Sequence, residues 1–259
     1  MRRNLHATGA PIIPPINGLS GNHATRQQAY GLRIQDEVGN VFRYVKANEA
    51  LTKGDVVTAI ARAAWDSGIA VDGAITANTT NVLHIDTITT AMTKNQYAGY
   101  YVSQATAATK GAAFMIESHE AMAASGEGDL ILTETMDEAF ANDVALLIHN
   151  PWLVEKADAT TEVIIGVAVH DITSGYFGWI QVGGYCAKVK CGSATSAAIV
   201  ANEPMIPNGT GTGKTEGAVE GMAGSAEGDI MEAAASPLIA LRAVGADTPG
   251  FTEAWIKER

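Results

Sequence analysis

Thr173–Cys191 reads TSGYFGWIQVGGYCAKVKC. Tyr176, Phe177, Trp179 and Ile180 are residue types that fit a pleated, half-buried surface. Gly183-Gly184 can supply the positive φ that a tight hairpin turn needs. Beyond the glycines the chain alternates, with Ala187, Val189 and Cys191 on one face and Cys186, Lys188 and Lys190 on the other. The stretch predicts two short strands joined by a glycine turn. It holds no acid, no histidine and no nucleophile beside a base. Tyr176, Phe177 and Trp179 are therefore expected to pack a core or a subunit contact.

Working outward, the same chemistry recurs. Asn40–Val45, Val56–Ile60, Val82–Ile88, Gln96–Val102, Leu130–Thr133, Glu162–Val169, Pro237–Val244 and Phe251–Ile256 read as strands, separated by Gly-, Asn- and Asp-rich turns. Glu117–Ala124 has the composition of a short helix. Met136, Ala139, Phe140, Val144, Leu147 and Ile148 fit a helical stripe that Pro151 would end, although Val144–His149 alone also fits a strand. The predicted fold is mainly β: a β-sandwich or β-barrel-like domain or domains, with few short helices and an extended N-terminal arm. The arm is placed at residues 1–28 and the β-rich body at 29–259, with a division into about 29–150 and 151–259 considered.

Composition narrows the function. Only 17% of the 259 residues are charged, against a usual value of about a quarter. Ala, Gly, Thr and Ser take their place, which suits a surface covered by neighbours. Net charge is −11, so the body repels nucleic acid and no such partner is expected. The first acid is Asp36, preceded by Arg2, Arg3, Arg26 and Arg33. A basic, Pro-rich start on an acidic body predicts an arm that docks on a neighbour through Arg2, Arg3, Ile12, Ile13 and Ile16. No apolar run long enough to cross a membrane follows, and Pro11, Pro14 and Pro15 interrupt any signal-like segment. Cys186 and Cys191, on opposite faces of one strand, are too far apart to pair with each other. Free thiols fit assembly in a reducing cytoplasm.

Motifs that could carry chemistry read as structural. NGTGTGKT at Asn208–Thr215 resembles a phosphate loop, but Asn208 stands where the first glycine is required. A surface loop or hairpin tip is expected there. The histidines at 6, 23, 84, 119, 149 and 170 show no metal-ligand spacing, and no metal site or cofactor is expected. Ser125–Leu130 (SGEGDL) recurs as Ser225–Ile230 (SAEGDI), with Lys53–Val57 (KGDVV) a weaker copy. Reuse of one turn chemistry explains this, with Asp capping a turn at Gly, and an internal duplication is the alternative; for the acid pairs within these phrases the alternative to capping is weak calcium binding by the Glu-Gly-Asp turns. Tyr97, Tyr100 and Tyr101, like the Tyr176 cluster, could stack on sugar, but core or subunit contact is the commoner use.

Gly175–Gly184 (GYFGWIQVGG) resembles a strand–turn of tailed-phage head proteins of the decoration, or cement, type, and Phe42–Val57 resembles the N-terminal stretch of marine-phage relatives. Glu162–Val169 and Pro237–Val244 stand in the matching order. The resemblance implies a β-rich, non-enzymatic virion protein that binds the major capsid protein on the outer shell as a dimer or trimer, with no membrane partner. Other virion roles, in a tail, a collar or a receptor-binding module, stay open, as does a β-fold polysaccharide hydrolase.

Overall fold

Apolar side chains at alternate positions give this chain strands, and the partners of those strands follow from which faces must be buried. A computed structural model describes residues 21–60, 66–86, 91–104, 113–158, 163–192, 198–208, 216–221, 238–242, 244 and 250–257. These contain no helix. The arm residues Arg2, Arg3, Ile12, Ile13 and Ile16 lie outside them, as does Ser225–Ile230. Two compact units form. One combines the chain up to Ile60 with everything from Pro151, and the other is the segment between them. Residues 29–60 therefore join the second half of the chain rather than residues 61–150.

In the first unit, β1 (Arg33–Gln35), β2 (Val41–Ala47), β3 (Val56–Ala59), β10 (Leu153–Lys156), β11 (Gly166–Ala168) and β12 (Phe177–Cys191) come first. Pairings β2–β10, β10–β3, β3–β11, β11–β12 and β12–β2 close a small ring. Val45, Ala47, Val57, Val154, Ala168 and Ile180 fill one core. Alternate residues of β2 and β12, namely Phe42, Tyr44, Phe177 and Trp179, make a second core on the opposite face. β13 (Met205–Pro207), β14 (Val219–Gly221), β15 (Leu238–Ala240) and β16 (Gly250–Ile256) extend from the far half of β12. Val56 and Val167 point away from the first core and pack with Val189, Val219, Leu238 and Ile256. β3 and β11 are thus buried on both faces, which explains why Thr58 is the one polar residue in either strand.

The second unit is a closed, wholly antiparallel barrel. Its strands are β4 (Asp66–Val71), β5 (Val82–Asp86), β6 (Tyr101–Gln104), β7 (Ala113–His119), β8 (Gly128–Leu132) and β9 (Ala145–His149), joined in the order β4-β5-β8-β7-β6-β9. Leu83, Ile85, Val102, Ile116, Leu130, Leu132 and Leu146 are fully buried, one face of each strand pointing inward.

Three sequence expectations are corrected. Gly183-Gly184 is not a hairpin turn: β12 runs straight through it. Its pairing with β2 ends in a bulge between Gln181 and Gly183, and its pairing with β16 begins at Gly184. A strand that changes sheets must bend, and Gly184 at φ 88° provides the bend. A second bulge between Cys186 and Val189 reverses the alternation, so Cys186 and Cys191 enter the same core instead of opposite faces. No helix forms at Glu117–Ala124, where Glu117 belongs to β7; of the two readings of Met136–His149 the strand holds, as β9, and the helix does not.

Seven turns among the described residues share one plan. An apolar residue makes an isolated bridge, and the residue three places later adopts a left-handed conformation. The pairs are Leu51/Gly54, Ile75/Asn78, Met92/Asn95, Met122/Ser125, Phe140/Asp143, Ile172/Gly175 and Ile199/Asn202. The bridges join Leu51 to Ile172, Ile75 to Phe140, Met92 to Met122, and Ile199 to Val244. Each is reciprocal: Leu51 N–H donates to the Ile172 carbonyl at 2.8 Å, and Ile172 N–H donates back at 2.9 Å.

Candidate functional site

Of the aromatics singled out in the sequence, Phe177, Trp179 and Tyr100 are buried, while Tyr97, Tyr101 and Tyr176 are half-buried. Phe177 stacks on Tyr44 with centroids 6.0 Å apart, and Trp179 meets Tyr44 edge-on at 5.1 Å. Tyr176 is half-buried against the ring core. Tyr97 packs edge-on against Tyr100, which is buried, and Tyr101 stacks on His149. The last part of the expected arm, residues 21–28, lies against its own unit. His23 pairs with Phe177 through reciprocal backbone bonds of 3.0 and 2.9 Å, and the Asn22 side chain bonds Thr173.

The two cysteines are free and buried, and burial pushes both thiols up. Their surroundings suppress nucleophilic chemistry. NGTGTGKT leaves β13 and leads to β14, which pair antiparallel. A phosphate loop instead joins a strand to a helix; residues 209–215 themselves lie outside the described residues. Of the Gly-Asp phrases, Lys53–Val57 and Ser125–Leu130 differ in structure. Gly54 is the left-handed residue of its turn, whereas Gly128 opens β8. Asp55 is fully buried and accepts bonds from Thr52 N–H (2.7 Å), Thr52 Oγ1 (2.9 Å) and Lys190 Nζ (2.9 Å), which is the capping role expected.

What the sequence did not single out is an exposed apolar row. Tyr185 on β12 lies opposite Trp255 on β16, and Trp255 lies opposite Ile239 on β15. Trp255 is 50% exposed, Phe251 48% and Tyr185 42%. Their strand neighbours Thr252, Ala254 and Ile256 point inward and are buried. Lys188 Nζ sits 4.0 Å from the Phe251 ring centroid, a cation on an aromatic face. Partial desolvation, and then the bonded Glu253 carboxylate, hold the Tyr185 hydroxyl above its ordinary range.

A second cluster sits on the outside of the six-stranded barrel. His84 on β5 lies directly opposite Asp129 on β8, and Asp72 follows β4. His84 Nδ1 is 2.5 Å from Asp129 Oδ1, and Nε2 is 3.2 Å from Asp72 Oδ2. The bond to Asp129, with the charges of Asp72 and Glu127, raises the His84 pKa.

The chain matches no known family model, no curated protein and no solved structure. Its functional reading rests on its own residues.

Proposed function

We infer that the chain is a structural virion protein that binds the outer surface of a tailed-phage capsid and stabilises the shell. One observation carries the reading: the in-register row of exposed Tyr185 and Trp255 with half-buried Ile239, flanked by exposed Phe251, on one face of a β-sheet. Aromatics of this kind are over-represented at protein contacts, and Trp and Tyr dominate their energetics. The charge-poor composition and the resemblance at Gly175–Gly184 support the same conclusion. A subunit that binds only the expanded shell stabilises it by mass action, summed over many copies.

Electron microscopy of particles carrying the chain tests this. On the order of hundreds of copies on the shell are expected, as repetition of a lattice site requires. Trp255→Ser should leave the fold intact and lower shell affinity about tenfold or more. Unchanged occupancy would remove this face from the interface. A position at one vertex, in about six or twelve copies, would make the chain a tail or collar component.

A further inference from the structure

We propose that Asp72, His84 and Glu127 form a binding site for a divalent transition cation such as Zn²⁺ on the outer wall of the six-stranded barrel, with Asp129 orienting the imidazole. One ring nitrogen of His84 and one carboxylate oxygen each from Asp72 and Glu127 all lie within 4.8 Å of one another. Donor atoms around a tetrahedral ion with bonds of about 2.1 Å stand about 3.4 Å apart. The widest gap must therefore close by at most about 1.4 Å. Glu127 is exposed, just before β8, and can make that movement by changing rotamer.

Asp129 distinguishes this arrangement from a patch of surface acids. Its Oδ1 is 2.5 Å from His84 Nδ1, so the ring hydrogen-bonds through that nitrogen and presents Nε2 toward Asp72, 3.2 Å away. A carboxylate on the far nitrogen of a ligating histidine fixes the tautomer and increases the basicity of the other nitrogen. The backbone holds the row in place. Asp72 N–H donates to the His84 carbonyl at 3.0 Å, and β5 pairs with β8 from Val82 to Ile85. Two oxygens and an imidazole nitrogen, with the remaining position open to water, suit Zn²⁺, Co²⁺ or Ni²⁺. Ca²⁺ prefers six or more oxygens and is not favoured here. The site uses the Glu-Gly-Asp phrase at 127–129, where the chain enters β8, but with a histidine 45 residues away in sequence.

Titration of the metal-stripped full-length protein with ZnCl₂, followed by calorimetry and by the imidazole NMR signals, tests the proposal. One ion per chain is expected, with the His84 resonances shifting at saturation and CaCl₂ producing no saturable heat. His84→Ala should abolish this binding. Asp129→Asn should weaken it about tenfold without changing the stoichiometry. Glu127→Gln, a change at an exposed side chain, should weaken it similarly and serves if His84→Ala fails to fold. Absence of saturable Zn²⁺ binding would overturn the proposal, as would parental affinity in His84→Ala or, should that variant not fold, in Glu127→Gln.

Discussion

His170 shows how one side chain can carry a pH response unrelated to catalysis. Its Nε2 lies 2.9 Å from the Gly21 carbonyl, which places the ring proton there. Nδ1 is buried without a hydrogen-bond partner among the described residues. Burial lowers the pKa; the Gly21 carbonyl and Asp171 oppose the shift, while His23 and Lys53 reinforce it. The unfolded chain therefore takes up a proton more readily than the folded one. Stability from this group is complete above the unfolded value of about 6.5 and declines as pH falls through it toward the lowered folded value. His170→Gln keeps a donor for Gly21 and removes the titration. Its midpoint of thermal unfolding should fall less than the parent's between about pH 7.5 and pH 5. Equal slopes would show that His170 is not the source. Gly184 makes the second test at this scale. An added Cβ would lie 2.8 Å from Asn40 Cα, at a φ of 88°. Gly184→Ala should cost about 2–3 kcal/mol in urea unfolding, since neither the backbone angle nor the space suits it. A loss below about 0.5 kcal/mol would mean that the strand can bend elsewhere.

At the scale of elements, the all-β class was readable because β-branched and aromatic residues alternate with polar ones along most of the chain. The helical stripe over Met136–His149 was misleading for a physical reason, while its strand alternative held as β9. Phe140, Val144, Leu147 and Ile148 fit a 3.6-residue period, yet Phe140 belongs to a bridge and Asp143 to a turn before β9 begins. The stripe straddles an element boundary. The sheet change within β12 was equally hidden, because paired glycines serve a hairpin and a bulge alike. The seven shared turns were illegible because four residue types, Gly, Asn, Ser and Asp, fill the left-handed position. The exposed row and the His84 cluster could not be read from local sequence: Tyr185 meets Trp255, and His84 meets Asp129, only through strand pairing. Ser125 is the member of the turn set least suited to its φ of 57°. Ser125→Gly should raise stability by about 0.5 kcal/mol, the relief of strain exceeding the added freedom of the unfolded chain. Ser125→Val should lower it by about 1–2 kcal/mol. Urea midpoints decide, and destabilisation by glycine would refute a strained turn.

For the whole molecule, the point where the barrel of residues 61–150 joins the chain explains how one sequence holds two closed units. Ala59 pairs with Val154, and Ile60 N–H donates to the Leu153 carbonyl at 3.0 Å. The chain thus leaves the first unit and returns to it on neighbouring strands. Within the barrel, the first and last strands also pair, Asp66 opposite Ile148, so its two ends lie on adjacent strands. An insertion with this geometry interrupts no core on either side. Replacing residues 61–150 by Asn-Gly, followed by the native Pro151-Trp152, converts β3 and β10 into a hairpin with a four-residue loop, a length hairpins commonly use. The shortened protein should unfold cooperatively in urea with well-dispersed amide NMR signals. Residues 61–150 alone should do the same, since a closed barrel with a filled interior leaves no sheet edge unpaired. The division also separates the two proposed activities. The shortened protein keeps Tyr185 and Trp255 and should bind shells without taking up Zn²⁺, while the isolated barrel should take up Zn²⁺ without binding shells. A disordered product from either piece would show that the units depend on one another for stability.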